Sequence, residues 1–233
     1  MTELKYCTRC ILPNTHETIS FDSEGVCNIC RQAETKHLKI DWDKRKDMLI
    51  SLIEKYRNKG IYDCIVPYSG GKDSVFQLWY IVTQLKMKPL VVRFNHWGFR
   101  PLVEKNNTKI FKKLGVDVLQ FTPNWQVVKK LMLASLKKTG DFCWHCHTGV
   151  FAHTIQVAIR YNTPLVFWGE SPAEYRAYTT HEELSEMNEK AFNDMVNLGI
   201  DVNEMYELLE GEVPRRDLYE YAFPAKNEIE NAG

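Results

Sequence analysis

The chain has 233 residues in which 30 lysines and arginines balance 30 aspartates and glutamates. That neutrality argues against a protein that coats nucleic acid, whose affinity needs a basic excess, so nucleic acid is not an expected partner. A hydrophobic share of 44%, with 12% aromatic, excludes wholesale disorder and calls for a real core.

No apolar run approaches the ~20 residues that cross a bilayer. The opening Met1-Thr2-Glu3-Leu4-Lys5 lacks the apolar centre of a secretory signal. No membrane partner and a cytoplasmic location are therefore expected. Seven cysteines are present, and six of them form three Cys-x-x-Cys pairs, which favours metal or redox chemistry over disulfides.

The first thirty residues show little helical periodicity and carry turn formers at Pro13-Asn14 and Ser23-Glu24-Gly25. Cys7-x-x-Cys10 and Cys27-x-x-Cys30, sixteen residues apart, have the spacing of two zinc-ribbon knuckles. Two residues between thiolates let both sulfurs reach one tetrahedral ion. A segment this short cannot bury a core, so a bound metal must provide its stability, with Zn²⁺ ahead of iron. Redox-active dithiols are the other reading, though two such pairs so close together favour a metal. No open ligand position is apparent, so the metal's role is folding.

Residues 1–35 are read as this knuckle and 36–60 as a connecting helix, marked by Leu49, Leu52, Ile53 and Tyr56. From residue 61 short apolar runs alternate with amphipathic stretches. Cys64–Pro67, Leu90–Phe94, Val116–Phe121 and Leu165–Trp168 read as four strands. Helical patterns run through Val75–Leu85, Val103–Leu114, Val128–Ser135 and Val150–Ile159. Strand and helix in alternation predict an α/β fold, a doubly wound parallel sheet over 61–233. The tail opens with a capping box at Thr180-x-x-Glu183, followed by a stripe of Leu184, Met187, Ala191, Met195 and Leu198. Asp201–Leu209 reads as a further short helix, and 227–233 as a helix end.

Ser69-Gly70-Gly71-Lys72-Asp73-Ser74 follows the first strand and opens a helix. Glycines there let backbone amides and the helix N-terminus surround an anion, with Lys72 as a point charge and Ser69 and Ser74 as hydroxyls. The segment is neither a Walker A nor a G-x-G-x-x-G loop. It resembles the pyrophosphate-binding loop of the adenine-nucleotide alpha-hydrolase (PP-loop) superfamily, which cleaves ATP between the alpha and beta phosphates.

Four motifs in order narrow the resemblance. These are Cys7-Thr8-Arg9-Cys10-Ile11-Leu12-Pro13, Phe21-Asp22-x-x-Gly25-Val26-Cys27-Asn28-x-Cys30, Cys143-Trp144-His145-Cys146-His147-Thr148-Gly149 and Trp168-Gly169-Glu170-Ser171-Pro172. Together they are similar to the N-acetyl sugar amidotransferase family, which makes acetamidino sugars for lipopolysaccharide O-antigen and flagellar glycans. The family continues beyond the point where this chain stops, so 61–233 is expected to be truncated at its C-terminus, with a sheet edge exposed beside the fourth strand.

The resemblance implies an ATP-dependent, AMP- and pyrophosphate-forming amidotransferase that converts an N-acetyl group of a sugar or nucleotide sugar to an acetamidino group. Amide oxygen attacks the alpha phosphate, giving an adenylated imidate and pyrophosphate, and ammonia then displaces AMP. Lys72 and Asp73 are the implied catalytic residues. Lys72 stabilises the leaving pyrophosphate; Asp73 holds Mg²⁺ or orients the loop. Ser69, Gly70, Gly71 and Ser74 cradle the phosphates. Phe94, with Asn95 and His96, meets the adenosine at the end of the second strand. Glu170, at the carboxyl end of the fourth, contacts Mg²⁺ or substrate, or is an exposed loop carboxylate. No glutaminase triad is visible, so the expected partner is a separate glutaminase subunit that supplies ammonia.

The third cysteine pair leaves three readings open. Cys143 and Cys146 with His145 or His147 could form a second metal site, a sulfur-transfer site, or a packed segment that shapes the substrate pocket. A protein-held cluster needs more thiolates than these two, and Cys64 faces into a strand. The rival functions are a tRNA-thiolating PP-loop enzyme and a non-catalytic zinc-ribbon interaction module.

Overall fold

In the computed structural model, residues 4–15, 19–38, 40–169, 196–197 and 199–231 are described, the side chains at 35–38 excepted. They divide into two units, 4–54 in one and 55–169 with 196–231 in the other.

In the first unit, two antiparallel bridges, Tyr6 with Pro13 and Phe21 with Cys27, close the two cysteine turns. Helix α1 (Asn28–Leu38) starts inside the second turn, and α2 (Trp42–Tyr56) follows it. The core of this unit is small. Cys7, Val26 and Cys27 are buried, with Ile19, Phe21 and Ile29 packed against them. Such a core is far short of one that stabilises a domain by burial alone.

The second unit is a mixed α/β fold with a three-stranded parallel sheet. Its strands are β1 (Cys64–Pro67), β2 (Pro89–Phe94) and β3 (Asp117–Phe121), in the order β1-β2-β3. Ile65 pairs with Leu90, and Val91 with Val118. Every residue of β1 and β2 is buried, as strands covered on both faces require, whereas β3 is half exposed and forms an edge. The fourth expected strand contracts to one parallel bridge, Val166 with Ile65, on the side of β1 away from β2. Ile65 donates to Leu165 at 2.8 Å and Phe167 donates to Ile65 at 2.9 Å. Thr163-Pro164 leads into this segment; proline has no amide to extend the ladder backwards.

Helices α3 (Lys72–Thr83), α4 (Pro101–Leu114), α5 (Trp125–Thr139) and α6 (Trp144–Arg160) connect these strands. Local chemistry sets their ends. Pro101 opens α4, Asn124 caps α5 by accepting from Gln126, and Gly115 and Gly140 close α4 and α5 in left-handed conformation. Side chains of β2 alternate between the two faces of the sheet. Leu90 and Val92 pack with Val157 and Ala158 of α6, while Arg93 reaches Glu104 of α4 from the opposite face.

The expected capping box at 180–183 and the stripe from Leu184 to Leu198 lie outside the described residues. Asp201 does cap the next helix, α7 (Val202–Leu208), with a complete capping box to Glu204. A 3-10 helix at Arg215–Tyr221 and a last short helix, α8 (Lys226–Asn231), follow. Ile200, Met205, Leu209, Val213, Leu218 and Tyr221 form one buried cluster with Trp144, Leu131 and Phe94. This part of the tail is therefore an ordered cover on α5 and α6. Buried polar pairs tie it down. Gln156 donates to the carbonyls of Tyr219 and Ala222 at 2.8 and 2.7 Å, and Glu220 meets His153 at 2.6 Å and Arg160 at 3.0 Å.

No helix among the described residues is long and apolar enough to cross a membrane.

Candidate functional site

The four N-terminal cysteines converge. The sulfurs of Cys7, Cys10, Cys27 and Cys30 all lie within 4.8 Å of one another. Thiolates ~2.3 Å from a shared ion stand ~3.8 Å apart at tetrahedral angles. The Cys7–Cys30 and Cys10–Cys27 separations are 3.9 and 3.6 Å. The donor set fits zinc, and these four cysteines can hold a metal ion of that kind. Backbone amides already point at the sulfurs. Cys27 donates to Cys7 at 3.2 Å, and Arg9 and Cys30 donate to Cys7 and Cys27 at 3.4 Å.

Burial opposes ionisation of Cys7, but amide hydrogen bonds from Cys10, Arg9 and Cys27 outweigh it and bring the thiol down to about 6. The neighbouring sulfurs, led by Cys10, and burial push Cys30 up to about 12; burial raises Cys27. Four sulfurs this close cannot all ionise unaided, and a divalent cation relieves that conflict. Around them, Asp22 accepts from the amides of Glu24 and Val26 at 2.9 and 3.0 Å, which closes the second turn. Arg31 holds Asp22 at 2.7 Å and also pairs with Glu24 and Glu34.

In the second unit, the glycine loop leaves the carboxyl end of β1. Its amides close on its own hydroxyls: Gly70 donates to Ser74 at 3.1 Å and Gly71 to Ser69 at 3.2 Å. The two hydroxyls lie 3.3 Å apart. Lys72 Nζ contacts both carboxylate oxygens of Asp73, at 2.6 and 2.7 Å, on the exposed side. Gly71 caps α3 without a side-chain hydrogen bond. A Cβ on Gly169 would sit 3.6 Å from the Ser74 amide, so the segment after Val166 runs past the start of α3. Glu170 lies outside the described residues.

Gly70 has φ +89, a conformation that L side chains rarely adopt, and a buried amide presses on it. A Cβ there would fall 2.4 Å from the Asn107 side-chain amide. Asn107, on α4, is 1% exposed. Turned so that its oxygen accepts from Arg93 Nη2 at 3.2 Å, its nitrogen donates to Val103 O and Tyr68 Oη at 3.3 Å each. Arg93 is itself buried, clamped by Glu104 and by Gln120 at 2.6 Å, with Phe99 beneath its guanidinium. The clamp holds the Glu104 carboxyl below its ordinary range, with burial opposing.

Phe94 is core. Its ring is buried among Phe121, His153 and Tyr221 and lies directly on Gly149 of α6. Beyond it, Trp97 has φ +65, donates its indole N–H to Pro123 O at 3.0 Å, and meets Trp125 at 5.8 Å. Both tryptophans are partly exposed, at the edge where β2 and β3 end.

The third pair opens α6. Trp144 is fully buried, stacks on Tyr221 and donates to Ile200 O at 2.8 Å. His145 is buried, with its ring nitrogens 3.2 Å from Phe142 O and 3.5 Å from His96 O; burial lowers its pKa. Cys143 and Cys146 are half-buried and His147 is exposed. Burial pushes the Cys146 thiol up to about 11, and raises Cys143 too. Among the described residues, the N-terminal cysteines are the one group of three or more such side chains that closes on a common point. Cys64 is fully buried in β1, and burial raises it to about 12.

Sequence reasoning missed Asn107, the Arg93–Glu104 clamp and the Glu220 pairings. A charged residue inside the apolar run Leu90-Val91-Val92-Arg93-Phe94 is the one visible hint of a buried partner; Asn107 carries none. Comparison with protein-family models and with curated protein sequences gives no match.

Proposed function

We propose that the chain is an ATP-dependent amidotransferase of the PP-loop type, which turns the N-acetyl group of a sugar into an acetamidino group and releases AMP and pyrophosphate. The observation that carries this reading is the position of the Ser69–Ser74 loop. It sits at the carboxyl end of β1, the strand flanked by β2 on one side and by the 165–167 segment on the other. In a doubly wound sheet such a reversal of strand order marks the crevice where ligands bind. We infer that architecture for the whole second unit.

The loop's chemistry suits pyrophosphate as a leaving group. Its amides now point at serine hydroxyl oxygens, in the role that phosphate oxygens would take. Lys72 would turn from Asp73 to the charge that develops on the departing phosphates. Asp73 would then be available to Mg²⁺, which supplies charge neutralisation when bound. Trp97 and Trp125, their rings tilted at 58° to one another, provide exposed aromatic surface at the same sheet edge, suited to a substrate ring. Zinc on Cys7, Cys10, Cys27 and Cys30 serves folding, and ammonia comes from a glutaminase partner. The acetamido oxygen attacks the alpha phosphate and pyrophosphate leaves; ammonia adds to the imidate carbon, AMP departs, and an amidine remains.

The test is product analysis with ATP, ammonia and a panel of N-acetylated nucleotide sugars. AMP and pyrophosphate are expected, with loss of both in Lys72→Ala while the circular dichroism spectrum is unchanged. ADP and phosphate as products would refute both the loop assignment and the chemistry.

A further inference from the structure

The glycine loop is shaped from below by a residue that no motif announces. Glycine loses more conformational freedom on ordering than any other residue, so a Gly-Gly turn needs an external wall to stay in one conformation. Here the wall is the flat face of the Asn107 amide. A Cβ on Gly70 would lie 2.4, 2.7 and 2.9 Å from the three heavy atoms of its amide group. That amide cannot easily retreat, since it is 1% exposed and bonded on its other edges to the Arg93 guanidinium and the Val103 carbonyl.

The same side chain also reaches the residue that enters the loop. Tyr68 Oη is 3.3 Å from the Asn107 amide, and the Tyr68 ring packs edge-on against Phe111, one helical turn further along α4. Tyr68 N–H still belongs to the sheet, donating to Val92 O at 2.9 Å. Asn107 thus touches the chain on both sides of Ser69. An aliphatic residue of equal size would fill the space but leave the Arg93 and Tyr68 polar atoms without this partner.

We propose that Asn107 is the positioning residue of the Ser69–Ser74 loop, pressing Gly70 into its left-handed conformation so that the Gly70 and Gly71 amides face one point. The role assigned to that point, a pyrophosphate site, rests on the reading given above. Arg93 and Glu104 act at one remove, by keeping Asn107 in place.

Two measurements on the full chain separate the claims. The first is amide hydrogen exchange by NMR in Asn107→Ala, and in Gly70→Ala as a variant that disturbs the same contact from the loop side. Exchange at Gly70 and Gly71 should rise about tenfold in Asn107→Ala, the scale of one lost buried hydrogen bond, while Val66 and Val91 keep their protection. Acceleration spread evenly over loop and sheet, or none at the loop, overturns the proposal. The second is calorimetric titration with inorganic pyrophosphate. Wild type should bind it, and each variant should bind about tenfold more weakly. Loosened loop amides with no pyrophosphate binding in wild type would leave Asn107's role standing and overturn the phosphate reading. Unchanged binding and unchanged exchange in Asn107→Ala would do the reverse.

Discussion

Gly149→Ala sets two effects of opposite sign against each other. Gly149 lies inside α6 and is buried, so on helix propensity alone an alanine should stabilise by about 1 kcal/mol. The new methyl, however, would fall 2.2, 2.5 and 2.7 Å from three atoms of the Phe94 ring. Ordinary carbon contacts begin near ~3.5 Å, so ring or helix must move by about an ångström. Phe94 has little room to do so. Its ring is hemmed in by Phe121 and Tyr221 at 5.7 Å and by His153 at 6.1 Å. Overpacking a filled core costs ~1–3 kcal/mol, and a contact this short belongs at the upper end. The clash wins, with a net loss of about 1–2 kcal/mol, or about 2–8 °C in Tm for a chain of this size. Thermal unfolding followed by circular dichroism measures it. Phe94→Leu in the same chain should recover part of the loss by making room. A Gly149→Ala protein as stable as wild type, or more so, would refute the packing argument and the place given to Phe94.

Trp144→Ala should cost about 3–5 kcal/mol, because it empties a fully buried site and leaves Ile200 O without its donor; a loss under about 1 kcal/mol in urea titration would refute the core role given to this tryptophan. Cys27→Ser should lower bound zinc from one equivalent towards none and abolish amide protection across 7–30, while Val91 stays protected. Metal analysis that finds none in the wild-type protein would sink the metal centre. Glu220 gives a pH signature. Burial works against its ionisation, but His153 and Arg160 hold its folded pKa below the ordinary 4.5. Its contribution is therefore complete above that value and lost as pH falls below it. Glu220→Gln should lower Tm at pH 7 and make progressively less difference towards pH 3, and a deficit that stays constant with pH would contradict the pairing.

Much of the second unit was legible because its signals are local. Apolar runs of four to six residues marked β1, β2 and β3, and the helical patterns Val103–Leu114 and Val128–Ser135 fall inside α4 and α5, whose observed ends are set by Pro101, Asn124, Gly115 and Gly140. The paired Cys-x-x-Cys spacing picked out the four cysteines that converge for the same reason: both knuckles are short-range turns, and one ion would be enough to join them.

Leu165–Trp168 looks as strand-like as the others, yet it keeps one bridge, because pairing is a property of neighbours and not of the segment. The third cysteine motif has the spacing of a ligand set. Tertiary packing buries Trp144 and turns His145 towards backbone carbonyls, and no single sequence can say which way a helix faces. Asn107 is the clearest case. It lies 37 residues from Gly70 in the chain, a polar residue on an amphipathic helix like many others. Only when α4 packs beneath the end of β1 does its amide meet the loop. Composition and short-range pattern therefore determined the elements, the cysteine turns and the glycine loop, since each depends on residues a few positions apart. Which side chains support that loop, and which only fill the core, was decided by long-range packing, where the contact exists only once the chain has folded.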